Sequence, residues 1–156
     1  MTPEGTRPAP SLKARALRHL SRREHSRVEL ARKLSPHEPD NPVLEALLDD
    51  LEAQGWLSDA RYAESLVRSR AARSGSRKLR ADLQSRGVDP AVVETALAQT
   101  SADEPARAQA YWDKKFGLAP STPEERARQF RHLLARGFAS EVVRRVVPGL
   151  RVPQDD

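Results

Sequence analysis

The chain carries a pattern of apolar residues that recurs with a period of about 50 residues. A shift of 49 residues places Leu30 on Leu79 and Leu34 on Leu83, and a further shift of 50 places Leu83 on Leu133. A fixed period of this length indicates one supersecondary unit that is used three times. Stacked units bury their apolar faces against one another and form a long surface rather than a closed pocket. The sequence therefore predicts a protein that binds something extended.

Within each unit the apolar residues follow helical spacing, and the alternation typical of strands is nearly absent. We expect an all-α fold of three tandem three-helix repeats in an elongated, curved array. The predicted organisation is a disordered N-terminal arm, three repeats and a polar tail, with boundaries at 1–10, 11–57, 58–100, 101–147 and 148–156. The nine predicted helices are 11–21, 26–34, 42–54, 59–72, 76–86, 89–99, 103–116, 123–136 and 140–147.

Two positions are expected to depart from a plain repeat. Gln129 stands where the other repeats have Leu30 and Leu79, and the apolar Phe130 follows one place later, so we expect the third unit to be rotated or more loosely packed there. Trp56 follows Gly55, a predicted helix stop. We expect its side chain to pack over the joint between the first and second repeats, because helix ends on glycine often bring an apolar residue back over the last turn.

Composition excludes several classes of function. The absence of Cys rules out disulfides and thiolate chemistry and suits a reducing cytoplasm, and no apolar run is long enough to span a membrane. No nucleophile motif or glycine-rich phosphate loop occurs. The acidic run Asp49, Asp50 and Glu52 favours a solvated helix face over a metal site. The histidines show no spacing typical of a zinc site: His19, His25, His37 and His132. We therefore expect a cytoplasmic protein that is not an enzyme and has no cofactor or metal.

Charge is sorted along the chain into bands of alternating sign. Residues 11–34 contain eight Lys or Arg and two Glu, whereas residues 38–64 contain eight acids and one Arg. Residues 68–86 are again basic, and residues 87–105 hold four acids and no base. Arg outnumbers Lys by 22 to 5, which favours forked contacts to phosphate or carboxylate groups.

The candidate binding residues are ten cations in two groups. The first basic cluster is Arg15, Arg18, Arg22, Arg23 and Arg27. The second basic cluster surrounds the turn Ser74-Gly75-Ser76 and consists of Arg68, Arg73, Arg77, Lys78 and Arg80. A basic stripe can attract a polyanion or an acidic protein. The alternative is internal, since the same cations can pair with the neighbouring acidic bands.

Short motifs recur in a fixed order along the chain. They are Ala16–Leu20, Arg22–Leu30 with Lys33–Leu34, Leu51–Glu64, Leu83–Val88 and Leu134–Phe138. Each is short, but their order and spacing together are specific, and they resemble the RecX family of regulatory proteins over roughly Ser11 to Val147. Ser58 stands where many relatives carry Asp, and serine caps helices as well.

The resemblance implies a tandem three-helix repeat protein that binds the RecA recombinase, chiefly as its filament on single-stranded DNA. It also implies restraint of the ATPase and strand-exchange activities of RecA. We expect a monomer that makes no contact with membranes and touches DNA weakly at most. Two alternatives stay open: a direct DNA-binding protein built from helix-turn-helix-like units, and a structural adaptor whose charge bands only pair neighbouring repeats.

Overall fold

The computed structural model describes residue 5 and residues 7–154, and this part of the chain holds nine α-helices and no strand. Each helix begins and ends within two residues of its predicted limits, so the all-α, three-repeat prediction is confirmed. The helices are α1 Leu12–Arg22, α2 Arg27–Leu34, α3 Asn41–Ala53, α4 Asp59–Arg70, α5 Ser76–Ser85, α6 Pro90–Ala98, α7 Glu104–Lys115, α8 Pro123–Ala135 and α9 Ser140–Val146.

The ends of the chain are only partly covered. Residues 1–4 and 6 of the predicted N-terminal arm, and residues 155–156 of the predicted tail, lie outside the described residues. Short 3₁₀ turns, Ser35–His37 and Ser101–Asp103, follow α2 and precede α7. The chain divides into two compact units with the boundary after Tyr62, inside α4. The second and third repeats share the second unit, and the exact limits of the three repeats stay a prediction.

Local sequence signals account for most of the helix ends. The Ser26 hydroxyl accepts from the Glu29 amide at 3.1 Å, and Ser58 accepts from the Arg61 amide at 3.2 Å. Side-chain acceptors of this kind satisfy amides that have no partner inside the helix. Helix α6 begins in the predicted manner, with Asp89 accepting from the Ala91 amide before the first turn.

The core of the first unit is a leucine cluster shared by its three helices. Fully or nearly fully buried side chains come from α1, α2 and α3 and from the turn after α3. They are Ala16, Leu30, Leu34, Leu44, Leu48, Leu51 and Leu57. The repeat match fails at Ala14, which is exposed although the 49-residue shift pairs it with the buried Ala63.

The prediction for Trp56 is wrong, because 55% of its surface is exposed. Helix α3 ends on Gly55 at φ +78°, with the Gly55 amide bonded to the Glu52 carbonyl and the Trp56 amide to the Leu51 carbonyl. This Schellman geometry turns the chain sharply. The next side chain, Leu57, is the one that turns back into the core, and only 2% of it is exposed.

The prediction of a rotated third repeat is also wrong. Gln129 itself is buried, at 7% exposure, so it occupies the same core position as Leu30 and Leu79. Its Oε1 accepts from Trp112 Nε1 at 2.8 Å, and its Nε2 donates to the Leu118 carbonyl at 3.2 Å. A buried amide is tolerated when its polar atoms are satisfied in this way. The third repeat therefore keeps its register and uses a Trp–Gln hydrogen bond in place of a leucine.

The second and third repeats are joined through their backbones. The Gly75 amide donates to the Arg136 carbonyl at 2.8 Å, and the Arg77 amide donates to the Gly137 carbonyl at 3.1 Å. Gly137 has φ +87°, and a Cβ at this position would overlap the backbone of Lys78. The close approach therefore requires glycine. It fixes the N-terminus of α5 against the C-terminus of α8.

Candidate partner-binding surfaces

The described residues hold no group of His, Asp or Glu side chains suited to a metal ion. None of their helices combines the length and apolarity that crossing a bilayer requires. The two basic clusters are therefore the candidate binding residues, and they lie in different units.

The first basic cluster divides into an exposed part and an internal part. Arg18 and Arg22 are exposed on α1, Arg15 on the same helix is half-buried, and none of the three forms an ion pair with any described residue. Arg23 is exposed, but its Nη1 lies 2.6 Å from Glu29 Oε1. The α1 arginines are thus the members that remain available to a partner.

Arg27 belongs to the internal part. Its guanidinium contacts three carboxylates of α3, those of Glu45 at 2.5 Å, Asp49 at 2.7 Å and Glu52 at 3.1 Å. Burial lowers the pKa of Arg27, but the hydrogen bonds from these carboxylates outweigh that effect and raise the pKa above its usual value. The proposed alternative of internal pairing is therefore what the structure shows for Arg27.

The second basic cluster surrounds a buried turn. Ser74 and Gly75 are buried, while the side chains of Arg68, Arg73 and Arg77 are exposed and form no ion pair with any described residue. The turn lies next to the third repeat, and Arg136 Nε donates to the Arg73 carbonyl at 2.7 Å. Exposed cations on a backbone that is held in place are well suited to partner contact, because little order is lost on binding.

The remaining two members of this cluster have internal contacts. Lys78 is half-buried and packs with its backbone against Gly137. Arg80 Nε donates to Glu94 Oε1 at 2.7 Å, and this hydrogen bond raises the pKa of Arg80 and lowers the pKa of Glu94. Arg80 is thus paired with the acidic band 87–105, as the internal alternative predicts.

A third group of cations was missed by the sequence analysis. Arg107, Lys114 and Lys115 lie on α7, and together with Arg73 they line a cleft in the second unit. The sequence does contain a signal for this group, because residues 107–136 are basic, with seven bases and three acids. Their approach to Arg73 depends on the packing of α7 beside the end of α4, which the sequence pattern alone does not give.

Comparison with protein families gives three matches in the order of the repeats. The first three-helix domain of RecX matches residues 13–51, the second matches residues 58–97 and the third matches residues 102–147. Together these matches span the nine helices of the described residues except the first residue of α1, the last two residues of α3 and the last of α6.

Individual relatives match nearly the whole chain. The chain is 48% identical to the regulatory protein RecX of Ralstonia nicotianae over 146 residues, which cover 94% of this chain and 92% of that protein. It is 50% identical to the regulatory protein RecX of Herminiimonas arsenicoxydans over 133 residues, which cover 85% and 88% of the two chains.

A solved structure shares the fold. The crystal structure of RecX from Lactobacillus salivarius superposes with a TM-score of 0.71 over 87% of this chain and 92% of that chain, at 20% sequence identity.

Proposed function

The chain belongs to the RecX family, and from that premise we propose that it regulates the RecA recombinase by binding to it, without catalysing a reaction of its own. The proposed target is chiefly the RecA filament on single-stranded DNA. Binding would restrain the ATPase and strand-exchange activities of the recombinase. We further propose that it acts in the cytoplasm as a monomer and needs no cofactor.

The observation that supports this proposal is the distribution of exposed cations. Each of the two compact units carries arginines that form no ion pair with a described residue, on α1 in the first unit and around the turn before α5 in the second. A filament presents the same surface many times, so contacts that are weak singly add through their effective concentration. Direct binding to free DNA would use the same cations and is separated from the proposal by experiment.

The proposal is tested by reversing the charge of Arg73 and Arg77 together. Both side chains are exposed, so R73E/R77E should keep its helical circular-dichroism spectrum and its melting temperature. We expect it to co-sediment more weakly with RecA filaments on single-stranded DNA and to inhibit the RecA ATPase less. The difference from the parent should shrink as salt is raised, because the effect is electrostatic.

Arg128 and Arg131 offer a matched control, since both are exposed on α8 and the pair carries the same charge change. R128E/R131E should inhibit more strongly than R73E/R77E. Normal inhibition by a well-folded R73E/R77E protein would contradict the assignment of the second basic cluster. Strong binding of the parent to naked DNA with a steep salt dependence, and no preference for the filament, would favour the DNA-binding alternative.

A further inference from the structure

The cleft in the second unit carries four positive charges on a mostly apolar wall. Its volume is about 760 Å³, within the range of sites that hold small ligands or inserted side chains. The cations are Arg73, which follows α4, and Arg107, Lys114 and Lys115 of α7. Between them lie Ala110 and Tyr111, and no carboxylate of the described residues lines the cleft.

Arg107 is held in a fixed orientation at the side of this cleft. Its Nε donates to the Ala71 carbonyl at 2.8 Å, and its Nη1 donates to the Thr100 carbonyl at 2.6 Å. The third nitrogen, Nη2, is buried and has no hydrogen-bond partner. Burial lowers the pKa of Arg107. The nearby carboxylates of Glu104 and Asp103 act on this pKa in the opposite direction, and an anion in the adjoining cleft would further reduce the cost of burying this guanidinium.

We propose that this cleft binds an acidic segment of a partner protein, with carboxylates against Arg73, Lys114 and Lys115 and a small apolar side chain over Ala110. The inference rests on the proposed function, because it states which kind of recombinase segment the second unit would take. Charge complementarity carries it, since Arg73, Lys114 and Lys115 line one cleft without an ion pair to any described residue and so favour an anionic ligand.

The geometry favours a protein segment over single-stranded nucleic acid. Base stacking needs an aromatic ring with a free face. The Tyr111 ring stacks on His132 with 5.7 Å between centroids, and it also packs against Phe138 at 5.9 Å. Its hydroxyl is hydrogen-bonded to His132 Nε2 at 2.7 Å. Tyr111, the one aromatic ring that lines the cleft among the described residues, is therefore already used inside the protein, and the apolar wall suits an aliphatic side chain.

The test measures binding of a short fluorescein-labelled peptide made of glutamate, aspartate and a few leucines. The full-length parent should bind this peptide, and a peptide with the corresponding amides should not bind. K114E/K115E should weaken binding by about tenfold or more, as expected when close charge pairs are reversed. A110W should also weaken binding, because it fills the cleft without changing the charge.

The chain provides a matched control for the charge reversal. Arg144 and Arg145 are also an exposed basic pair in the last turn of a helix, α9, and they do not line the cleft. R144E/R145E should bind the acidic peptide within about twofold of the parent, since exposed charges away from a site act weakly. Equal losses of peptide affinity in K114E/K115E and R144E/R145E would overturn the proposal. Absence of peptide binding by the parent, or tighter binding of oligothymidylate through the same residues, would overturn it as well.

Failure of the cleft and failure of the proposed function give different results. Co-sedimentation of the same proteins with RecA filaments is measured beside the peptide assay. A parent that binds filaments while the acidic peptide neither binds nor competes would disprove the cleft assignment alone. A parent that binds the peptide through the cleft but ignores filaments would disprove the proposed function and support the cleft as a site for another acidic protein.

Discussion

The N-termini of α2 and α5 are equivalent places in the first and second repeats, and a carboxylate reaches each of them from the helix that opens the next repeat. In the first unit, Asp59 Oδ1 accepts from the Arg27 amide at 2.8 Å. In the second unit, Glu104 Oε1 accepts from the Ser76 amide at 3.2 Å and Oε2 accepts from the Ser76 hydroxyl at 2.9 Å. Carboxylates are favourable at this end of a helix because its amides lack partners.

The two joints differ in how much backbone they involve. The Asp59 joint is a side-chain contact, and Asp59 is partly exposed. Glu104 is 8% exposed and also accepts from the Ala139 amide at 3.4 Å, and the adjacent Gly75 and Gly137 bring two backbones together. The same repeat joint can therefore be made through side chains, as by Asp59 and by Arg61 with Glu24, or reinforced by direct backbone contact. Sensitivity to substitution should differ accordingly.

The largest effect is expected from Gly137→Ala. The new Cβ would overlap the Lys78 backbone and would require an L side chain at φ +87°. We expect the second unit to lose about 4 kcal/mol or more of unfolding free energy. Urea denaturation followed by the fluorescence of the buried Trp112, in a Trp56→Phe background, measures this loss. Gly55→Ala is the control, because Gly55 has a similar φ of +78° but open space around it, and it should cost only about 1–2 kcal/mol.

Glu104→Ala should have the next largest effect. It removes a buried carboxylate that accepts three hydrogen bonds, so the Ser76 and Ala139 amides lose this acceptor. We expect a loss of about 2–3 kcal/mol, measured by the same urea titration. Glu104→Gln, which keeps the shape and one acceptor oxygen, should fall between the parent and the alanine variant. An alanine variant as stable as the parent would show that the backbone contacts alone hold the joint.

Asp59→Ala should weaken the simpler joint by a smaller amount. One hydrogen bond to the Arg27 amide is lost, and Ser26 still caps the helix through the Glu29 amide. The expected cost is about 1 kcal/mol, as for the loss of one helix cap. Hydrogen exchange of the Arg27 amide should become faster while amides of α5 keep their protection. A loss of unfolding free energy as large as that of Glu104→Ala would contradict the proposed difference between the two joints.

The smallest effect is expected from Trp56→Ala. This side chain is mostly exposed at the end of α3, so its removal should change the unfolding free energy by less than about 0.5 kcal/mol. Leu57→Ala at the neighbouring buried position should cost about 2–5 kcal/mol. Thermal melts of the two variants give the comparison directly. Equal melting temperatures for the two variants would contradict the difference in burial between Trp56 and Leu57.

The helices could be predicted because their signals are local. Apolar spacing, caps and glycine stops lie within a few residues of the structure that they determine, as at Ser26, Asp89 and Gly137. Trp56 was misjudged because the direction of the chain after a Schellman turn decides which of two adjacent apolar residues is buried, and here it is Leu57. Gln129 was misjudged because its hydrogen-bond partner, Trp112, is 17 residues away in the sequence.

The candidate site could be predicted less well than the fold. Charge density located both basic clusters, but whether a cation is free or paired depends on contacts between helices. Arg27 contacts carboxylates on α3 that are at least 18 residues away, and Arg80 contacts Glu94 on α6. The cleft could not be predicted for the same reason, because Arg73 and Lys114 come to line one cleft only when α4 and α7 are packed. These ten candidates and the cleft residues stay predictions until binding is measured.

The contact of Arg136 with the turn before α5 couples the order of that turn to the order of the end of α8, although the two are distant in the sequence. Its guanidinium donates to the Arg73 carbonyl at 2.7 Å and to the Ser74 hydroxyl at 3.3 Å, 63 and 62 residues away. By thermodynamic linkage, a ligand that binds only the ordered turn also stabilises whatever holds that turn in order. Occupation of Arg73 by a partner should therefore slow local opening at the end of α8, and a weakened Arg136 contact should reduce affinity by loosening the turn that carries Arg73.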